Sequence, residues 1–289
     1  MPAPAARNAT FTAFGGAQCS IHAHAVSDDE LSACIAEVYA FESRLTRFHP
    51  DSELSRFNAA AGRRVTVSPL LAELLRTALD AHELTGGLVN AAVLPALLAA
   101  GYDRSIEQVR RRDRPAAQVH RRAEAPGVRS APALPQVLTV GPTWARLAPG
   151  CAIDLGGVGK GWLADRLAER LDNAAVNLGG DVATQGGGPD GNGWSVGLCD
   201  GSAIALRRGG VGTSGTEARR WPGGHHLIDP RTGVPAVTDL AAVSVVAGTA
   251  AQAEALSKAA VLLGSTQAAE WLHQRGAAHW ALQLRSPLS

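Results

Sequence analysis

Asp154-Leu155-Gly156-Gly157-Val158-Gly159-Lys160-Gly161 leads directly into Trp162 to Leu171, and Ala174 to Leu178 then ends in Gly179-Gly180-Asp181. The first stretch reads as a glycine-rich loop, the second as a helix and the third as a strand closed by a sharp turn. Glycines let a backbone come close to a ligand, and the free N–H groups at a helix start favour an anion. Lys160 adds a point charge suited to phosphate, and Asp154 can accept hydrogen bonds from a ligand or from the turn. A tight strand-to-helix turn with a solvated lysine explains the same residues equally well. The P-loop pattern is excluded, because Asp154 stands six residues before Lys160 and no Ser or Thr follows that lysine.

Further strands are expected at Trp194 to Leu198, Ala203 to Leu206 and Val243 to Ala247, with a helix from about Ala250 to Leu263. Upstream, Phe11 to His24 begins as a glycine-containing turn and continues as a strand. Asp28 to Phe48 carries Leu31, Ile35, Val38, Phe41 and Leu45 at helical spacing behind the capping residues Ser27 and Asp28. Ser52 to Asn58 reads as a short polar segment. Ser68 caps a helix that has Pro69 in its first turn and runs to about Leu84. Val137 to Leu147 reads as a hairpin turning at Gly141-Pro142. Between these lies an Arg/Pro-rich excursion at about 103–136, a solvated face or a mobile arm. Separated helices among paired strands place the chain in the α+β class, organised as one domain over residues 1–289.

Bulk properties narrow the function. The chain has 289 residues, 46% hydrophobic, 18% charged and only 4% aromatic, which suits a globular core built on Ala, Val and Leu. A net charge of +1 gives no reason to expect nucleic acid or a membrane surface as partner. No run approaches the roughly 18 apolar residues of a membrane helix, so no membrane insertion is expected. Cys19, Cys34, Cys151 and Cys199 form no CxxC pair and match no zinc spacing. Free thiols and the lack of a signal-peptide run near the N-terminus lead to the expectation of a cytoplasmic enzyme.

Two later segments carry possible chemistry. Gly212-Thr213-Ser214-Gly215 offers hydroxyls on a flexible backbone, or is a plain turn; Thr216 excludes a nucleophile elbow. In His225-His226-Leu227-Ile228-Asp229-Pro230-Arg231-Thr232-Gly233, His226 is a candidate general base or phosphate-binding group. Asp229 either orients it or begins the turn that Pro230 and Gly233 complete. A lone His in such a place is commonly structural.

Taken together, Asp154 to Gly161, Asn177 to Asp181, Thr213 to Gly215 and His226 to Gly233 resemble, in order and content, the FAD:protein FMN transferases of the ApbE family. Asp51-Ser52-Glu53-Leu54-Ser55-Arg56-Phe57-Asn58 and Thr85-Gly86-Gly87-Leu88-Val89-Asn90 are similar to two N-terminal segments of that family. The resemblance spans Phe11 to Gly264. It implies an ApbE-like, T-fold-related α+β fold of mixed sheets with helices, with FAD held in a cleft. It also implies Mg²⁺-assisted cleavage of the FAD pyrophosphate, attachment of FMN to a Thr or Ser of an acceptor flavoprotein, and release of AMP. Such a transfer rests on positioning and charge neutralisation.

The resemblance puts His226 and Asp229 near the reacting phosphate. It puts Phe14, Phe48, Leu88, Val89, Asn90, Asp154, Lys160, Thr213 and Ser214 around FAD, and Gly157, Glu254 and Lys258 at the metal. Here the chain departs from the pattern. The family has an Asp and, four residues later, a Thr as metal ligands, where this chain has Glu254 and Lys258. A protonated lysine has no lone pair to offer. One reading is an intrahelical ion pair where a metal once sat; the other is that Lys258 itself supplies positive charge to the pyrophosphate. Phe14-Gly15-Gly16 stands for the family's Met-Gly-Thr, Val89-Asn90 for its Phe-Asp, and Phe48 for a common Tyr. Besides an active transferase, the residues allow a non-catalytic flavin-binding protein, or a pyrophosphatase that splits FAD without an acceptor.

Overall fold

Burial alternates strictly along Ala174–Leu178, so one face of that segment must meet a core. In the computed structural model, which describes residues 6–111 and 130–285, it is a central strand of a seven-stranded sheet. The strands are β1 (Ala6–Ala13), β2 (Ala17–His24), β3 (Ala174–Leu178), β4 (Asp181–Gln185), β5 (Arg208–Gly215), β6 (Leu240–Ala247) and β7 (His279–Leu284). Each pairs antiparallel with the next of the series, so spatial order follows chain order.

Helices cover the sheet. Helix α1 (Asp28–Leu45) starts from a reciprocal capping box between Ser27 and Glu30, and buries Leu31, Cys34, Val38, Phe41 and Leu45. It ends at Leu45, not Phe48, because Thr46 is already extended. Ser52 to Asn58 is not merely a polar segment: Ser52 caps α2 (Glu53–Ala59), which buries Leu54 and Phe57. Ser68 caps α3 (Pro69–Leu84). Helix α4 (Gly159–Leu171) packs on β3 and β4, and α5 (Ala250–Leu263) on β5 and β6, with α6 (Ser265–Gln274) beside it. The core between them is aliphatic, as the low aromatic content requires; Ile21, Leu71, Leu74, Leu75, Leu163, Leu167 and Leu178 are fully buried.

Other readings shift by a few residues. The Phe11 to His24 segment is the end of one strand, a turn at Phe14 to Gly16, and a second strand. Gly212 to Gly215 is no turn but the end of β5. The hairpin of Leu138–Val140 and Trp144–Leu147 turns at Gly141-Pro142, and Arg64–Thr66 adds a third strand to it. Helix α4 takes in Gly159 to Gly161, so Lys160 sits in its first turn. Short helices at Ile106–Arg110 and Leu134–Val137 bound the Arg/Pro-rich excursion, whose residues 112–129 lie outside the described residues. No two of the four cysteines are bonded to each other. Among the described residues no helix is long and apolar enough to cross a membrane.

Two glycines are imposed by close packing. A Cβ on Gly161 would lie 2.6 Å from the carbonyl oxygen of Ala250, and one on Gly212 would lie 2.4 Å from the backbone of α5. The starts of α4 and α5 therefore touch backbone to backbone, with Asp165 accepting from the N–H groups of Ala250 (2.7 Å) and Ala251 (2.9 Å). Gly161→Ala is expected to cost about 1–3 kcal/mol through overpacking. Gly157→Ala, whose Cβ would meet only the Lys258 side chain at 3.4 Å, should cost less than about 1 kcal/mol. Urea midpoints of the two variants check the contrast.

Candidate functional site

The loop before α4, the end of β5 and the segment from Ala218 to His226 converge on one cleft with three lobes. A lobe of about 130 Å³ is walled by Phe14, Phe41, Leu45, Phe48, Tyr102 and Ile106, with Asp154 and Lys160 at its edge. A second, about 100 Å³, is lined by Leu88, Val89, Asn90 and Leu97 together with Gly157, His226 and Lys258. The third, about 280 Å³, includes Gly15, Gly179, Thr213, Ser214 and Lys258. Gly156 and Arg219 line all three, which marks their junction.

Asp154 is spoken for by the protein. Its Oδ1 accepts the Gly156 N–H at 2.7 Å and its Oδ2 accepts Arg47 Nε at 2.8 Å. Arg47 also donates to the Tyr102 carbonyl at 2.7 Å, and its guanidinium lies 4.1 Å from the Phe48 ring centre and 4.6 Å from that of Tyr102. The acid thus shapes the loop and fixes an arginine on the aromatic wall.

Lys160 and Lys258 meet two buried carboxylates. Lys160 Nζ donates to Asp181 Oδ2 and reaches Glu254 Oε1 at 3.4 Å, while Lys258 Nζ donates to Glu254 Oε1 at 2.9 Å. Glu254 Oε2 accepts the Gly161 N–H at 2.9 Å. Glu254 has no solvent exposure and Asp181 is 1% exposed. Burial works against the Glu254 carboxylate, but the two ammonium groups outweigh it and hold its pKa well down. For Asp181 burial wins, reinforced by the negative Glu254, and its pKa rises. Burial also opposes the Lys160 charge, yet Asp181 and Glu254 raise its pKa above the ordinary value.

His226 is partly buried, and its Nδ1 has no hydrogen-bond partner among the described residues. Burial, then the positive charges of Arg219 and Lys258, hold its pKa well below the imidazole norm, so the ring is neutral near pH 7. Asp229 does not share that place. It lines none of the three lobes, and its carboxylate takes the Arg231 backbone N–H at 2.9 Å and the Arg231 guanidinium at 2.7–3.1 Å. Of the two readings of Asp229, orienting His226 or starting the turn, these contacts support the turn.

The remaining expected residues reach the cleft, some with their polar groups occupied. Asn90 lines the second lobe, but its side chain accepts from the Ala92 N–H and donates to the Pro132 carbonyl, both at 2.9 Å. Thr213 is hydrogen-bonded to Ser244 at 2.8 Å and Ser214 to Ser257 at 2.9 Å. Leu88, Val89, Phe14 and Phe48 contribute apolar surface. Sequence reading missed Arg47, Tyr102 and Arg219. The one available signal was an arginine just past a helix end beside an aromatic residue.

The family model described as "ApbE family" matches residues 16–281. The chain is 33% identical over 277 residues to "FAD:protein FMN transferase" of Treponema pallidum (strain Nichols), covering 81% of this chain and 72% of that one. It is 29% identical over 248 residues to a protein of the same name from Klebsiella pneumoniae (strain 342), covering 76% and 71%. The fold is similar to the crystal structure of the Pseudomonas stutzeri flavinyl transferase ApbE in its apo form, with a TM-score of 0.80, 21% identity and coverage of 99% and 94%. It is also similar to the ApbE protein of Thermotoga maritima, with a TM-score of 0.78, 24% identity and coverage of 96% and 94%.

The depressed pKa of His226 has a sign in stability. The unfolded chain takes up a proton near pH about 6.5 and the folded one resists it. The contribution is therefore complete above about pH 6.5 and is lost as the pH falls below it. Urea midpoints of wild type and His226→Asn, measured at several pH values from neutral to mildly acidic, should show a smaller acid-side loss in the variant.

Proposed function

The chain belongs to the ApbE family, and from that premise we propose that it transfers FMN from FAD to a Thr or Ser hydroxyl of an acceptor protein and releases AMP. The acceptor oxygen forms a bond to the phosphorus of the FMN half. The bridging P–O bond breaks, its electron pair leaves with AMP, and the hydroxyl proton passes to a base. His226 is our candidate for that base, since a neutral imidazole can accept a proton. Lys160, Lys258 and Arg219 surround the pyrophosphate, and the aromatic lobe with Phe14 and Phe48 takes a planar ring. Asp229 acts through the turn that carries His226. Four unbonded thiols fit a reducing compartment such as the cytoplasm.

The observation that carries this reading is the convergence of His226, Lys258 and Arg219 where an apolar lobe and a polar lobe meet. The family pattern would place Mg²⁺ against Gly157, residue 254 and residue 258. The residues here do not fit it. Both oxygens of Glu254 are engaged by N–H and ammonium groups, and residue 258 brings a cation. Among the described residues no three His, Cys, Asp or Glu side chains group as a metal site. The saturated Glu254 also favours a second reading, a flavin-binding protein without turnover.

Protein should quench FAD fluorescence on titration, release AMP, and label an added acceptor with FMN. His226→Ala should abolish AMP release while shifting stability by no more than about 1 kcal/mol. FAD bound without AMP release would select the binder, and AMP without labelled acceptor the pyrophosphatase. Normal turnover in the variant would remove His226 from the chemistry.

A further inference from the structure

We infer that Lys258 is a built-in cation, so that this site meets the FAD pyrophosphate with protein ammonium groups and without a divalent metal. The inference rests on the flavin-transferase reading above and deepens it.

Position comes first. Lys258 lies one turn beyond Glu254 on α5, and its side chain is only 14% exposed. A Cβ on Gly157 would lie 3.4 Å from Lys258 Cε, so the loop packs over the lysine stem. The ammonium is held in the cleft by its bond to Glu254. Among the described residues, that 2.9 Å bond is the only hydrogen bond of Lys258 Nζ. An ammonium has three donors, so two are available to phosphate oxygens.

The donor set is unsuited to magnesium. Magnesium wants about six oxygens in near-ideal octahedral geometry. Glu254 offers oxygens already taken by Lys258, Lys160 and the Gly161 N–H. The neighbouring hydroxyl of Ser257 is turned to Ser214 at 2.9 Å and to the Glu254 carbonyl at 3.1 Å. Among the described residues Asp181 Oδ1 has no hydrogen-bond partner, but its other oxygen carries Lys160, and one oxygen does not make a magnesium site.

Charge points the same way. Lys160 and Lys258 balance Asp181 and Glu254 one for one. A dication would have to displace an ammonium group from the carboxylate oxygens it already occupies. Arg219, which lines the same cleft, adds positive charge beyond that balance to meet the incoming pyrophosphate.

The test uses the full chain treated with EDTA. FAD affinity is read by fluorescence anisotropy, AMP release by chromatography, and Mn²⁺ binding by electron paramagnetic resonance. Expected results are tight FAD binding in EDTA, AMP release that Mg²⁺ leaves unchanged, and no stoichiometric Mn²⁺. Lys258→Thr should weaken metal-free FAD binding about 10-fold or more, as for the loss of one charge-assisted hydrogen bond. Lys258→Arg, which keeps the charge, should retain most of that binding and guards against misreading a folding defect. If EDTA abolishes AMP release and Mn²⁺ binds one per chain, the inference is overturned while the transferase reading stands. If FAD binds in EDTA and depends on Lys258, but no AMP forms in either buffer, the cation assignment stands and the transferase reading falls. Equal FAD affinity in wild type and Lys258→Thr would overturn the inference directly.

Discussion

A carboxylate with no access to water must be neutralised by its surroundings, and Glu254 is such a group. Its environment ties together three parts of the chain. The Gly161 N–H fixes the start of α4, Lys160 links onward to Asp181 at the start of β4, and Lys258 belongs to α5 itself. The backbone contact between α4 and α5 follows from the same requirement, since Glu254 reaches an N–H only when the helices approach at Gly161. Cleft geometry is thus a by-product of satisfying one buried charge. Removing a single partner would leave the others paired to an uncompensated ion, which is costlier than losing an ordinary contact.

One strained residue stands on the aromatic lobe. Phe14 has φ of 55°, a left-handed backbone that non-glycine residues seldom adopt. It sits in the turn between β1 and β2, where two glycines follow it, and the hairpin could have been closed without a bulky residue there. Its ring packs edge-on against Phe41 at 6.3 Å, and its carbonyl accepts from Arg219 at 3.3 Å. Those contacts hold the unusual backbone in place and put an aromatic face on the cleft.

The α+β class, the capped helices and the strand before Gly179 were legible because caps and periodicity are local signals. Ser27, Ser68 and the alternation of Ala174 to Leu178 announce themselves within a few residues. The expected cleft residues were mostly legible through order and spacing. Asp229 was not, because a sequence cannot say whether an acid beside a histidine turns toward it or toward Arg231. Arg47 and Arg219 were hidden for a related reason: their importance comes from partners more than 50 residues away in the chain, as with Tyr102 and Phe14. Gly161 and Gly212 looked like loop flexibility, and only packing reveals them as room for a neighbouring backbone.

The sheet visits its strands in chain order, yet residues 25–173 lie between the paired strands β2 and β3. During synthesis the β1–β2 hairpin therefore emerges long before its partner exists. One side of β2 must wait with N–H and C=O groups unpaired by any strand while helices α1 to α4 and a small sheet are made. Pairings that close such long loops are slow to form, and a waiting edge invites the wrong strand from another nascent chain. The arrangement that lets the intervening segment roof the cleft thus makes early folding the vulnerable stage of this protein's life. Crowded expression would expose that weakness before any loss of native stability does.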